Sequence, residues 1–226
     1  NFVTGDRKWS FWQSERDGLA RLYRYNNADG SCEGAITPEG IIVQQLVAVD
    51  SERQQIYFMA NNLPEYSDPY YHGLCRVNFD GTRFSLLTPE DGEHMVRIFP
   101  DCLADTWSRV DQAPVTVLRD RNGGFLCEVI RADISALLEA GYIMPERFQV
   151  TATDGETPLY GILIRPAGME EGKTYPFIDY IYGGMQIANV PKAFTWKTAN
   201  GRESSGGLQE YAQLGIAGIS LDGPGT

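Results

Sequence analysis

Apolar and polar residues alternate in short runs along the first 131 residues, and turn residues separate the runs. Residues 9–13 (WSFWQ) alternate in this way, residues 16–18 (RDG) supply a turn, and residues 19–25 follow as a second run. Alternation with a period of two residues is typical of a strand with one buried face. This part of the chain therefore predicts a β-hairpin.

The same unit recurs along the chain. Further strands are predicted at 44–50, 54–60, 74–79 and 83–88, and then at 95–99, 101–108, 114–118 and 125–129. Roughly four strands per 45 to 50 residues is the spacing of β-propeller blades. A β-sandwich is the competing architecture, but the recurring aromatic-rich second strand followed by a long excursion favours the propeller. We predict that residues 1–131 form a partial β-propeller of about two to three blades.

A short helix and a linker are predicted over residues 132–146. Asp133 can cap the helix, and Gly141 stands where a C-terminal glycine belongs. One apolar face of this helix is formed by Ile134, Leu137 and Leu138. The segment therefore separates two predicted domains.

The pattern changes in the last third of the chain. A hairpin is predicted from 147–153 and 159–165, and two nearly continuous apolar runs follow at 177–182 and 216–221. Runs of this kind are typical of strands that are buried on both faces of a parallel sheet. Between them, the apolar spacing from Leu208 onward fits a crossover helix. We therefore predict an α/β domain over 147–226.

Charge and the length of the apolar runs exclude several classes of partner. The net charge of −11 argues against nucleic acid and against an anionic membrane, since both require a basic face. The longest apolar runs, such as 41–49, are far too short to span a bilayer. The chain does not begin with Met and has no signal-peptide pattern, so we expect it to be a piece of a longer protein.

No metal ion or other cofactor is expected. The chain has two histidines and no C-x-x-C motif, and neither feature suits a zinc site. The four cysteines are widely separated, at Cys32, Cys75, Cys102 and Cys127. Free thiols and one or two disulfides are both compatible with this spacing.

A serine nucleophile and its partners are missing from the pattern. Serine hydrolysis on an α/β-hydrolase fold uses G-x-S-x-G on a strand-to-helix turn, and neither Ser204 nor Ser205 has the required glycine before it. In this fold the histidine follows the nucleophile, whereas His72 and His94 precede every candidate. We expect these serines in a helix cap or loop and these histidines in structural positions, so the 226 residues contain no catalytic triad.

Tyr182 is the candidate for an oxyanion donor. It begins the segment Tyr182-Gly183-Gly184 at the end of a predicted strand, where a hydroxyl can stabilise the charge of a tetrahedral intermediate. The alternative is that Tyr182 is only the last residue of a buried strand. Asp222 also ends a predicted strand, but we expect it to form an Asp-Gly turn, and we expect Asp179 to be buried and hydrogen-bonded.

Many motifs of the chain together resemble one family. Residues 12–18 (WQSERDG), followed by Leu22-Tyr23, are similar to a propeller-strand motif in which Ala20-Arg21 here replaces the usual histidine. The match continues through 56–60, 69–77, 80–81, 87–88, His94, 99–101, 114–118, 154–155, 159–161, Pro166, 175–176 and 182–184. The chain resembles the prolyl oligopeptidase family of serine peptidases, and within it the dipeptidyl peptidase IV branch.

The resemblance implies late propeller blades joined to an incomplete α/β-hydrolase domain, with the Ser-Asp-His triad beyond Thr226. It also implies a parent that hydrolyses short peptides after proline. Tyr182 matches the tyrosine of the family's Tyr-x-Gly-Pro loop, which donates its hydroxyl to the oxyanion. Met185 stands where that loop has proline, and Pro224 stands where an Asp-x-Arg-Gly motif has arginine.

The implied partner is a peptide substrate of the full-length parent, and this chain alone is expected to be inactive. A homo-oligomer is expected as well, because an open set of blades exposes strand edges and an apolar sheet face. Two alternatives remain from the sequence. One is a non-catalytic propeller and hydrolase-like module that binds proteins, and the other is a parent with acylaminoacyl-peptidase or esterase activity.

Overall fold

The structure is a computed structural model, and it describes residues 2–182, 187–194 and 207–225 of the chain. The chain divides into two units. The first consists of residues 1–107 with 116–130, and the second consists of residues 108–115 with 131–226.

In residues 2–131, strands that follow one another in sequence are neighbours in four-stranded sheets. The first sheet contains β1 (Phe2–Val3), β2 (Trp9–Ser14), β3 (Arg21–Asn26) and β4 (Cys32–Ala35). The second contains β5 (Ile42–Asp50), β6 (Gln55–Asn61), β7 (Gly73–Asn78) and β8 (Ser85–Leu86). The third contains β9 (Glu93–Ile98), β10 (Cys102–Arg109), β11 (Gln112–Asp120) and β12 (Phe125–Arg131). The predicted rhythm of four strands per unit is confirmed.

The predicted first hairpin is also confirmed. β2 and β3 pair antiparallel, with Trp12 opposite Tyr23. Gly18 closes the turn between them: it has a φ of 97°, and its N–H donates to the carbonyl oxygen of Glu15 at 2.8 Å. A positive φ of this size is readily adopted only by glycine, which explains the Asp-Gly pair at this point of the chain.

The strand β6 of the second sheet is buried on both of its faces. On one face, Ile56 and Phe58 of β6 pack in a core with Phe11 of the first sheet. On the other face, Tyr57 packs with Leu103 of the third sheet. Successive side chains of a strand point to opposite faces, so β6 contributes to both cores. Three sheets stacked in this order are a propeller-like arrangement, whereas a β-sandwich has two.

The short predicted helix is present as α1 (Ser135–Glu139), but its predicted cap is wrong. The N-cap residue is Ile134, which makes no side-chain cap hydrogen bond. Asp133 instead accepts hydrogen bonds from the backbone N–H and the hydroxyl of Ser135, at 2.9 and 2.6 Å. The carboxylate therefore closes a tight turn that leads into the helix, and Asp readily forms local hydrogen bonds of this kind.

The sheet of the second unit combines antiparallel and parallel pairing. Its strands are β13 (Glu146–Thr151), β14 (Pro158–Ile164), β15 (Phe177–Tyr180) and β16 (Ala217–Leu221), in the order β13-β14-β16-β15. β14 pairs antiparallel with β13 and β16, whereas β15 and β16 are parallel. The hairpin predicted from 147–153 and 159–165 is confirmed.

The predicted crossover helix is present as α2 (Leu208–Gln213), which lies between β15 and β16 in sequence. Leu208 and Ala212 are buried against Ile164 of β14. A Cβ atom added to Gly218 would lie 2.8 Å from the Cβ of Leu208, so the absence of a side chain at Gly218 lets the helix approach β16 closely. The helix ends as predicted at Gly215, which has a φ of 82°.

β15 departs from the prediction of a strand buried on both faces. Phe177 is 65% exposed, and Asp179, which was expected to be a buried polar group, is exposed as well. The reason is the strand order, because β15 has a single neighbour in the described sheet. Alternation and apolarity predict a strand, but they do not say whether a second strand or helix covers it.

Neither α1 nor α2, the helices of the described ranges, is long or apolar enough to cross a membrane. All four cysteines lie in the described ranges and are free thiols. Of the two possibilities that the sequence left open, the structure therefore has the unpaired thiols.

Candidate functional site

The candidate site lies where β15 and β16 end. Because the two strands are parallel and adjacent, their carboxyl ends meet at the same edge of the sheet. Tyr182 follows the end of β15 by two residues, and Asp222 directly follows β16. The carboxyl edge of parallel strands is where ligands bind in open α/β sheets.

Tyr182 presents its side chain to solvent. It is 55% exposed, and within the described ranges its hydroxyl has no hydrogen-bond partner. Tyr182 lies two residues beyond the end of β15 and is exposed, and its role as an oxyanion donor stays a prediction. Its phenol can donate one hydrogen bond. Gly183, Gly184 and Met185, which follow it in the predicted loop, lie outside the described residues.

Asp222 does not form the local turn that its Asp-Gly sequence suggests. Its side chain is buried, and Oδ1 accepts the backbone N–H groups of Asn189 at 2.6 Å and of Val190 at 3.1 Å. Lys192 Nζ lies 3.8 Å from Oδ2, too far for a hydrogen bond but close enough to offset part of the negative charge. The carboxylate therefore binds a segment that comes 33 and 32 residues earlier in the chain.

That segment, residues 187–194, is held at two further points. Val190 is buried in a small core with Val110 and Ile162. The N–H of Phe194 donates to the hydroxyl of Ser108 at 3.1 Å. The chain that follows the predicted Tyr182 loop is thus fixed by apolar packing and by side-chain hydrogen bonds.

Ser220 is a further polar residue of the site, and the sequence pattern does not reveal it. It is fully buried in β16, and its hydroxyl donates to the carbonyl oxygen of Tyr180 at 3.0 Å. Serine is unremarkable within an apolar run, so the sequence gives little warning. The spacing of Ser220 and Asp222 is the one indication in the sequence, because residues two positions apart share one face of a strand.

The two histidines lie in the first unit. His72 Nδ1 is 2.9 Å from the carboxylate of Glu93. His94 is buried, with Nδ1 2.9 Å from Asp105 Oδ1 and Nε2 2.8 Å from the carbonyl oxygen of Glu90. Its ring also stacks against Tyr66, with a centroid distance of 5.7 Å. These contacts agree with structural positions for both histidines.

A buried arginine completes the surroundings of His94. Arg119 donates to Asp105 Oδ2 at 3.0 Å and also to the carboxylate of Glu90. Burial alone would lower the pKa of Arg119, but the two carboxylates outweigh it, and the pKa is raised above its ordinary value. For the Tyr66 hydroxyl, whose charged form is the deprotonated one, burial raises the pKa well above its ordinary value. The carboxylates of Asp105 and Glu90 are thus already bound by Arg119 and His94. We interpret the cluster as a structural contact between neighbouring strands.

Ser204 and Ser205 lie outside the described residues. Within the described ranges, no group of three or more His, Cys, Asp or Glu side chains is arranged to hold a metal ion.

Comparison with known proteins decides the family. The model of the dipeptidyl peptidase IV N-terminal region matches residues 1–114, which is half of the 226-residue chain. The chain belongs to the dipeptidyl peptidase IV family. The resemblance found in the sequence motifs is confirmed.

Solved structures of dipeptidyl peptidases share the fold over nearly the whole chain. Dipeptidyl peptidase 4 of Porphyromonas gingivalis matches 98% of this chain with a TM-score of 0.75 and 19% identity. A Bacteroides ovatus protein described as a dipeptidyl aminopeptidase IV also matches 98% of the chain, with a TM-score of 0.72 and 24% identity. At these identities the likeness concerns the fold, and it supports propeller-like sheets over the β-sandwich alternative.

The chain is much shorter than the dipeptidyl peptidases that it matches. It covers 30% of the Porphyromonas gingivalis chain and 33% of the Bacteroides ovatus chain. Dipeptidyl peptidase 8 of Mus musculus and of Homo sapiens is 43% identical over 53 residues, which is 24% of this chain and 6% of theirs.

Proposed function

We propose that this chain is part of a serine peptidase of the dipeptidyl peptidase IV family. Residues 1–131 supply two to three late blades of the propeller, and residues 132–146 link them to the next domain. Residues 147–226 supply the opening strands of an α/β-hydrolase domain. The observation that carries this proposal is the match of 98% of the chain, including the part beyond residue 114, to solved dipeptidyl peptidases.

The sheet of the second unit supports the hydrolase assignment. An antiparallel hairpin leads into a parallel pair, and the helix α2 lies between the two parallel strands in sequence. The outer side of β15 has no partner strand in the described sheet. A further parallel strand that leads into the nucleophile turn can pair there. The serine, aspartate and histidine of the triad are proposed to follow Thr226 in the full-length protein.

The proposed reaction is peptide-bond hydrolysis through an acyl-enzyme. The serine attacks the carbonyl carbon, and negative charge develops on the carbonyl oxygen of the tetrahedral intermediate. The exposed hydroxyl of Tyr182 is proposed to donate a hydrogen bond to that oxygen, which lowers the barrier because the bond strengthens as charge develops. The proposed substrates are short peptides cleaved after proline, and the propeller is proposed to limit their size.

Labelling with a fluorophosphonate probe tests this division of roles, because the probe reacts with activated serines. We expect the full-length protein to be labelled and to hydrolyse a glycyl-prolyl anilide faster than a glycyl-glycyl anilide. We expect the 226-residue chain to be neither labelled nor active, since it contains no triad.

Two results would contradict the proposal. Turnover by the 226-residue chain that persists after repurification and is lost in Ser204→Ala or Ser205→Ala would place a nucleophile inside it. A folded full-length protein that is neither labelled nor active would instead support the protein-binding module that the sequence left open.

A further inference from the structure

Two buried polar side chains lie at the carboxyl end of β16, with Ser220 in the strand and Asp222 directly after it. Ser220 is 0% exposed and Asp222 is 3% exposed. Burying a hydroxyl, and even more a carboxylate, is costly unless each group is hydrogen-bonded. The two residues are two positions apart and share one face of the strand. We refer to Ser220 and Asp222 together as the β16 anchor.

Ser220 fixes the end of β15. Its hydroxyl donates to the carbonyl oxygen of Tyr180, the last residue of that strand. Tyr180 is also the register partner of Ser220 in the parallel ladder. A side-chain hydrogen bond and strand pairing therefore act on the same residue, two positions before Tyr182.

Asp222 fixes the chain beyond the predicted loop. Oδ1 accepts two consecutive backbone N–H groups, from Asn189 at 2.6 Å and from Val190 at 3.1 Å. Hydrogen bonds to a carboxylate are stronger than those between neutral groups. The nearby ammonium group of Lys192, 3.8 Å from Oδ2, offsets part of the cost of burying the charge.

We propose that Ser220 and Asp222 are positioning residues for Tyr182. They attach residue 180 on one side and residues 189–190 on the other to the end of a single strand. Both points are thereby tied to the end of the same strand, in addition to the packing of Val190 against Val110 and Ile162. This inference rests on the proposed function, in which the Tyr182 hydroxyl must lie at a fixed place to meet the oxyanion.

Steady-state kinetics on the full-length protein tests the inference. Tyr182→Phe is expected to lower kcat by about 100-fold with little change in KM, as loss of an oxyanion donor does. Asp222→Ala is expected to lower kcat by about 10-fold or more in the same manner, since a displacement of about 1 Å can cost that much. The double variant is expected to be no slower than Tyr182→Phe, because Asp222 acts only through the tyrosine. Asp179→Asn, an exposed aspartate on the neighbouring strand, is the matched control and is expected to keep its activity.

The outcomes separate this inference from the proposed function. If Tyr182→Phe keeps full kcat, the oxyanion role fails. If Tyr182→Phe is slow but the losses of the two single variants multiply in the double variant, Asp222 acts by another route and the positioning role is overturned. An unchanged kcat in Asp222→Ala overturns it as well.

Milder variants cover the case in which Asp222→Ala does not fold. Ser220→Ala removes one hydroxyl, and Asp222→Asn keeps an oxygen acceptor without its charge. Both are expected to lower kcat less than Asp222→Ala, again without a further loss in the Tyr182→Phe background. In NMR spectra, the amide protons of Asn189 and Val190 are expected to shift in Asp222→Asn and to stay in place in Asp179→Asn. Unshifted amides in Asp222→Asn would contradict the contact itself.

Discussion

At the residue scale, a few buried polar groups fix positions that apolar packing alone leaves adjustable. In the first unit, Arg119 and His94 bind the carboxylate of Asp105 from two sides, and all three are buried. In the second unit, Asp222 binds two backbone N–H groups. Removing one member of such a cluster leaves a buried charge without its partner, which typically costs about 3–5 kcal/mol. Sequence patterns detect these residues poorly, because their partners are distant along the chain.

Asp154 offers a local test of the electrostatics. Its carboxylate accepts hydrogen bonds from the hydroxyl of Thr157 and from the backbone N–H groups of Glu156 and Thr157. These bonds, the hydroxyl first, lower the pKa of Asp154 from 3.8 to about 2. Because the folded pKa lies below the unfolded one, the stabilisation is fully present above pH 3.8 and is lost as the pH falls through about 2.

An NMR titration of the Asp154 carboxyl carbon checks this value. The midpoint is expected near 2 in the native chain. It is expected to move toward 3.8 in Thr157→Val, which removes the strongest of the bonds. A native midpoint at the ordinary value would show that the turn is not formed as described.

At the element scale, the hydrophobic pattern predicts strands well and their burial poorly. The hairpins at 9–25 and 147–165 follow from local alternation and turn chemistry, and both are present. The exposure of β15 could not be predicted, because it depends on which elements lie beside the strand. β12 shows the same limit: all seven of its residues are exposed, although its sequence is rich in apolar side chains.

The exposed apolar residues of β12 lead us to predict that the chain self-associates. It is an outer strand of its sheet, and Phe125, Leu126, Val129 and Ile130 are 54–62% exposed. An outer strand with exposed apolar side chains favours pairing with a second copy. We expect a dimer or larger oligomer in light-scattering measurements of the 226-residue chain.

Charged substitutions on β12 test the contact. Leu126→Lys combined with Ile130→Lys is expected to give a monomer, since charges on an edge strand oppose pairing. Leu214→Lys, at an exposed apolar residue outside the strands, is the control and is expected to leave the oligomer intact. A native chain that stays monomeric at high concentration would rule out self-association through this edge.

At the scale of the whole molecule, the order of motifs was more informative than any single motif. Four-strand units followed by a hairpin and two apolar runs predicted the succession of sheets that is observed. The place of Tyr182 after a strand and before two glycines is visible in the sequence, whereas its role as an oxyanion donor stays a prediction. The hydrogen bonds of Ser220 and Asp222 could not be predicted, because their partners lie more than 30 residues away along the chain. The family follows from the motifs, whereas the peptidase activity and the longer protein that would carry it are proposals.

The most direct test is a crystal structure of the full-length protein with a proline-containing peptidyl boronate, which forms a tetrahedral adduct with a catalytic serine. We expect the serine to lie outside residues 1–226 and the Tyr182 hydroxyl to lie about 2.7–3.1 Å from an oxygen of the boronate. An adduct on a serine within residues 1–226, or a boronate oxygen bound by other donors with Tyr182 turned away, would contradict it.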